Sequence, residues 1–124
     1  MISPQFASEW HQDVDMDKLR KGRISRAREK MKEYDIDALL LFRAENIRYI
    51  TGFRPLWWPH DFIDRNAAFL TRDGDPILYP SSGDVPRCRS TMPWLKTANI
   101  RPMASMCDAG VARNMISNEL AKVV

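Results

Sequence analysis

From residue 15 the chain carries apolar positions at a helical period. Ile24, Ala27, Met31 and Tyr34 recur at spacings of three and four, with Met16 and Leu19 upstream near the edge of the same face and the charged Arg20 interrupting the series. Asp15 or Asp17 is placed to cap the start, where a carboxylate accepts from free backbone donors and meets the positive end of the helix dipole. The pattern predicts an amphipathic helix over 16–34. Ile36-Asp37-Ala38-Leu39-Leu40-Leu41-Phe42 follows almost at once, a short apolar run of the kind found in a strand covered on both faces. Residues 44–50 predict a short helix stopped by Gly52.

Further on, 66–71 and 76–79 are apolar stretches flanking Arg72-Asp73-Gly74-Asp75. Asp-Gly between two such stretches signals a hairpin, since its turn takes a positive φ that Gly adopts cheaply, and the two strands are expected to be antiparallel neighbours. Residues 80–83 read as a loop and Asp84 as the cap of a short helix running to about Leu95, kinked near its end by Pro93. A strand is expected over 97–103. Asp108 opens a last helix with Val111, Met115, Leu120 and Val124 on or near one face. Residues 1–14 show no period and read as an arm, leaving 15–124 as one domain whose alternation of helix and strand is that of an α/β fold.

A chain of 124 residues, 44% hydrophobic and 28% charged, is enough for one core and leaves no room for a second domain of ordinary size. No apolar run has the length of a membrane span, and the first residues have neither a basic n-region nor an apolar h-region, so a cytoplasmic protein without membrane contact is expected. Cys88 and Cys107 lack a C-x-x-C spacing and read as free thiols. The net charge of +3 is uneven: eight Lys or Arg residues lie between Lys18 and Lys32 against the single Glu29. Such a helix suits a phosphate backbone or an acidic partner. Because no aromatic platform is interleaved with these charges in the sequence, a solvated helix face is the preferred reading and nucleic acid the less favoured one.

Candidate chemistry is sparse. Asp13, Asp15 and Asp17 alternate as the first ligands of an EF-hand do, but Lys18 stands where that loop needs Gly and Ile24 where it needs Glu, so they read as helix capping. The two histidines are His11 and His60; His60 with Asp61 and Asp64 is too small a ligand set to carry a metal centre. No nucleophile elbow, P-loop or dinucleotide fingerprint is present. What stands out is Asn46 to Phe62, NIRYITGFRPLWWPHDF, where adjacent Trp57 and Trp58 lie between Pro55 and Pro59 in a segment unsuited to regular helix or strand.

The order of features resembles a known family. Leu19-Arg20-Lys21-Gly22-Arg23 opening a helix, then Ile36-Asp37-Ala38-Leu39-Leu40, then Asn46-Ile47-Arg48-Tyr49-Ile50-Thr51-Gly52-Phe53, then Phe69-Leu70 before Asp73-Gly74-Asp75-Pro76 and Leu78, is similar to the N-terminal domain of the creatinase, prolidase and aminopeptidase P family over about residues 18–103. The resemblance implies an α/β domain with a mixed sheet of about five or six strands and helices on both faces. It also implies a separate C-terminal catalytic domain of pita-bread fold that holds two divalent metal ions, manganese, cobalt or zinc, and hydrolyses the amide bond before proline. The ligands of those metals have no counterpart in this sequence. No catalytic or metal-ligating residue is expected here, and the chain reads as an excised or truncated N-terminal domain without activity of its own.

Members of that family are typically homodimers in which the loop after the Gly-Phe turn helps wall the partner subunit's site. The resemblance thereby gives the 54–64 loop a role: Trp57 or Trp58 as a rigid apolar wall for a peptide or small-molecule substrate, and Arg54 or His60 as a donor to a substrate carboxylate. A purely structural alternative puts one Trp in the domain's own core and the other in the dimer interface, with His60 an ordinary surface residue. Among possible parent enzymes, Xaa-Pro dipeptidase or aminopeptidase P leads, with a creatinase-like hydrolase or a dimethylsulfoniopropionate lyase as alternatives. A freestanding module that binds protein or nucleic acid through the 16–34 helix is the reading from a different class.

Overall fold

Asp15 starts the first helix by accepting from the Lys18 backbone N–H at 2.9 Å. The computed structural model describes residues 14–55, 66–103 and 121–122, and in it helix α1 spans Met16–Glu33. Met31 is buried and Ile24 and Ala27 are partly buried beside it. Tyr34, expected on the same face, is 68% exposed because the helix stops beneath it. Asp35 takes the left-handed conformation at φ 54°, and the backbone N–H groups of Asp35 and Ile36 turn back to the carbonyls of Lys32 and Met31 at 3.3 and 2.7 Å. That is a Schellman stop with Asp in the place of the usual Gly. Arg72 locks it from across the domain: its guanidinium donates to the Asp35 carboxylate and to the Ile36 carbonyl, both at 2.8 Å, and pairs with Asp37 at 3.2 Å.

Strand β1, Ala38–Leu41, pairs antiparallel with β2, Ala67–Thr71, which pairs antiparallel with β3, Ile77–Tyr79, in the order β1-β2-β3. The expected hairpin is therefore present, with Ala68 opposite Leu78 and Phe69 opposite Ile77. Gly74 is required there for a different reason from the one expected. Its φ is not positive; instead the Thr71 hydroxyl accepts its N–H at 2.8 Å and sits 2.5 Å from where a Cβ would lie. β1 also departs from expectation. It is not covered on both faces: Leu39 and Leu41 are half-buried toward the helices, whereas Leu40 is 41% and Phe42 62% exposed.

Period-2 alternation sorts the sheet's side chains. Leu39, Leu41, Ala68, Leu70 and Leu78 face α1, α2 (Ala44–Thr51) and α3 (Val85–Thr91), forming two adjoining clusters with Met31, Ile47, Ile50, Val85 and Cys88. Fully buried Leu70 and Leu78 each contribute about 1.5–3 kcal/mol of hydrophobic stabilisation. The opposite face carries Ala67, Phe69, Ile77 and Tyr79 with Met103. The three strands pair only antiparallel, and the parallel contacts of the expected mixed sheet are confined to two isolated bridges, in which Ile100 lies beside Leu78 and Met103 beside Ser81. The strand expected over 97–103 is reduced to these two bridges, because Thr97–Asn99 is a 3-10 turn. Among the described residues the architecture is α/β with three strands and three helices, all three on one face; neither a fifth strand nor a second helical layer is present among them.

Candidate functional site

The residues leading into the aromatic loop are held by contacts that begin in α2. That helix buries Ile47, Ile50 and Thr51 and ends at Gly52, whose φ of 77° and N–H to the Arg48 carbonyl at 2.8 Å make a left-handed stop, as the sequence predicts. Thr51 is buried with its hydroxyl used twice: it donates to the Ile47 carbonyl at 2.7 Å and accepts from the Phe53 N–H at 3.1 Å. Trp94 closes the turn from outside. Its indole N–H donates to the Thr51 carbonyl at 2.8 Å, and its ring lies where a Cβ on Gly52 would come within 3.2 Å. Phe53 then enters the core beside Ile47, Ala68 and Met92.

Arg54 is the next residue, and its side chain is exposed. Its carbonyl accepts from Arg87 of α3 at 2.7 Å, and the same guanidinium forks onto both carboxylate oxygens of Asp84. Asp84 is buried and Arg87 half-buried, with the guanidinium 6.0 Å from the Phe53 ring centroid. The hydrogen bonds that Arg87 donates to Asp84 hold the Arg87 pKa above its ordinary value. Asp84 thus stands at the N-cap position expected of it but makes no capping bond, its carboxylate being taken up by Arg87. Cys88, the next residue of α3, is fully buried, and burial together with nearby Asp84 pushes its thiol up to about 11. A neutral, enclosed thiol of this kind is inert as a nucleophile.

The far end of the loop is held from the same stretch of chain. Asn66 accepts the Ser81 backbone N–H at 3.1 Å, and Ser81 is buried between this contact and its bridge to Met103. Of the four residues proposed from sequence, Arg54 sits at this base, while Trp57, Trp58 and His60 lie outside the described residues, as do Asp61, Asp64 and Cys107. Of the residues that hold the base, Trp94, Arg87 and Ser81 were not singled out from sequence, and Asp84 was singled out only as a helix cap. Only the Asp84–Arg87 spacing of three on a short helix carried a readable signal.

Among the described residues no three His, Cys, Asp or Glu side chains stand close enough to hold a metal ion, and no helix is long and apolar enough to cross a membrane. Asp15 caps α1 and Asp17 pairs with Arg20. The basic helix spends several cations internally: Arg20 on Asp17 and over the Trp94 ring, Arg23 over Tyr49, Arg28 on the Gly74 carbonyl, and Lys30 on Glu33.

A comparison with curated proteins finds no match. A comparison with family models finds a match, described as the creatinase/prolidase N-terminal domain, over residues 23–121, which takes in α1 from Arg23 onward, the whole described sheet and the loop base. With most of its length so matched, the chain belongs to the creatinase/prolidase N-terminal domain family.

Proposed function

We propose that the chain is the non-catalytic N-terminal domain of a Xaa-Pro dipeptidase or aminopeptidase P-like metallohydrolase, that it pairs as a homodimer, and that its 54–64 loop walls the partner subunit's substrate site. The observation that supports this reading is the double anchoring of the loop. Arg54 is held through Arg87 and Asn66 through Ser81, so both ends rest on one short stretch of the core. A loop pinned in this way loses less conformational entropy when it contacts a substrate. Arg54 and His60 supply donors for a carboxylate, and Trp57 or Trp58 an apolar wall.

Bond cleavage belongs, in this reading, to two divalent metal ions that activate water in a C-terminal catalytic domain. The described residues of this chain do not fit that role, since no three of their His, Cys, Asp or Glu side chains stand close enough to hold a metal ion.

The test joins two measurements. The 124-residue chain should show no Xaa-Pro hydrolysis with or without manganese. In the protein that includes the catalytic domain, Trp57→Ala and Trp58→Ala should differ, one lowering stability and the other lowering kcat/KM with metal content unchanged. Equal stability losses with unaltered kinetics would remove the loop from the site. Parallel assays with Xaa-Pro dipeptides, creatine and dimethylsulfoniopropionate separate the possible parent enzymes.

A further inference from the structure

Strand β1 lies at the edge of the sheet: among the described residues it pairs with β2 alone. Its ladder to β2 fixes which backbone groups are left over. The Arg72 N–H donates to the Asp37 carbonyl at 3.3 Å, which makes Asp37 and Arg72 a hydrogen-bonded pair, and the alternation of an antiparallel ladder carries the same role to Leu39 and Leu41. The N–H and C=O groups of Ala38, Leu40 and Phe42 therefore point to the outer edge.

The same residues carry exposed apolar side chains. Ala38, Leu40 and Phe42 alternate on the face turned away from the helices, where Leu40 heads a cross-strand row with Phe69 and Ile77. Soluble proteins guard such an edge with Lys, Pro or a bulge, and Ala38-Leu39-Leu40-Leu41-Phe42 has none of these. Instead, charges of opposite sign flank it. Asp37 precedes the run with its side chain 92% exposed, and Arg43 follows with its side chain 81% exposed and its backbone still extended at φ −76° and ψ 134°. Their present ion pairs, to Arg72 at 3.2 Å and to Glu45 at 3.7 Å, leave both charges largely in solvent.

We propose that β1 pairs antiparallel with β1 of a second copy, Leu40 standing opposite Leu40 across a two-fold axis, so that the two sheets become one. In this register Ala38 faces Phe42 of the copy, small against large, and Asp37 faces Arg43, at both ends by symmetry. Every pair formed by Ala38, Leu40 and Phe42 exchanges both backbone hydrogen bonds. A slip by two residues loses the match, since it sets Asp37 against Leu41 or against Glu45 of the copy. This inference rests on the homodimer of the proposed function and assigns the surface through which the copies meet; it draws on no residue of 54–64.

Sedimentation equilibrium of the 124-residue chain, from micromolar to millimolar concentration, reads the association directly. A monomer–dimer equilibrium is expected. Leu40→Lys sets two ammonium groups together at the axis and should weaken it at least about tenfold. Arg43→Asp and Asp37→Arg, each alone, oppose like charges at both ends and should dimerise severalfold more weakly, whereas an equimolar mixture of the two restores opposite charges and should form a heterodimer. Urea midpoints close to that of the unaltered chain check that each variant is folded. A dimer undiminished by Leu40→Lys, or a mixture no tighter than its separate components, overturns the β1 pairing and leaves the homodimer standing on another surface. Species that grow beyond a dimer overturn it too, because the edge would then be meeting a different surface. A chain that stays monomeric throughout also overturns it, and sedimentation of the protein that includes the catalytic domain then decides the homodimer separately.

Discussion

The indole N–H of Trp94 donates to the Thr51 carbonyl at 2.8 Å, joining the end of α2 to a segment 43 residues further along the chain. That carbonyl is one of the last four of the helix, which have no partner within it, and Thr51 is buried beyond the reach of solvent. One side chain therefore satisfies the helix end, packs on Gly52 and supports Arg20.

Trp94→Phe keeps a ring over Gly52 but removes the donor. The variant should lose about 1–2 kcal/mol of unfolding free energy, the cost of an unpaired buried carbonyl, measured by urea denaturation. A loss no larger than that of Trp94→Tyr controls with a regained bond would show that the ring, and not the N–H, carries the contact.

Two glycines should respond to the same substitution with opposite signs. Gly52→Ala puts a Cβ at φ 77° and 3.2 Å from the Trp94 ring, and should destabilise by about 1–3 kcal/mol. Gly22 lies inside α1 with nothing within 4 Å, so Gly22→Ala should stabilise by about 0.5–1 kcal/mol. Paired denaturant midpoints check both at once.

Arg87→Ala leaves the buried Asp84 carboxylate without its partner and frees the Arg54 carbonyl, at a cost of about 1–3 kcal/mol. Arg87→Lys should recover only part of this, because a single ammonium cannot fork onto Asp84 and reach Arg54 together. Chymotryptic cleavage within 54–64 should accelerate in both variants, more in the alanine one. Unchanged cleavage alongside the stability loss would confine the pair to a structural role away from the loop.

Cys88 makes stability fall in alkali. An unfolded cysteine ionises at about 8.5, whereas the folded thiol is held neutral to about 11, so the folded state binds the proton more tightly. The resulting stabilisation is complete below the unfolded value and is lost as pH rises toward 11. Denaturation midpoints should therefore decline over that window and decline less steeply in Cys88→Ala. Peptide mapping after iodoacetamide at pH 8 should find Cys88 unmodified in the folded chain and modified in urea.

Local rules were legible wherever a residue's environment is made by its own neighbours. The Asp15 cap, the left-handed Gly52 stop and the antiparallel pairing of 67–71 with 77–79 each depend on contacts within a few residues, and each is present as the sequence implies. Arg54 was proposed through the family resemblance and not through any local rule. The order of such local signals was also enough to show the family resemblance.

What failed were inferences about partners distant in the chain. The run 36–42 has the composition of a fully buried strand, yet which faces are covered depends on where the helices settle, and here they leave Leu40 and Phe42 exposed. Asp84 has the type and position of a cap, but Arg87 offers its carboxylate a charged fork that outcompetes neutral backbone donors. Between Lys18 and Lys32 no aromatic residue appears; only the folded chain brings Trp94 and Tyr49 against Arg20 and Arg23. The sequence by itself determined the helical and extended segments and their turns, because those follow from backbone sterics and local hydrogen bonding. The tertiary structure decided which side chains anchor the loop base, because packing brings together residues 15, 33 and 43 positions apart that no local period records.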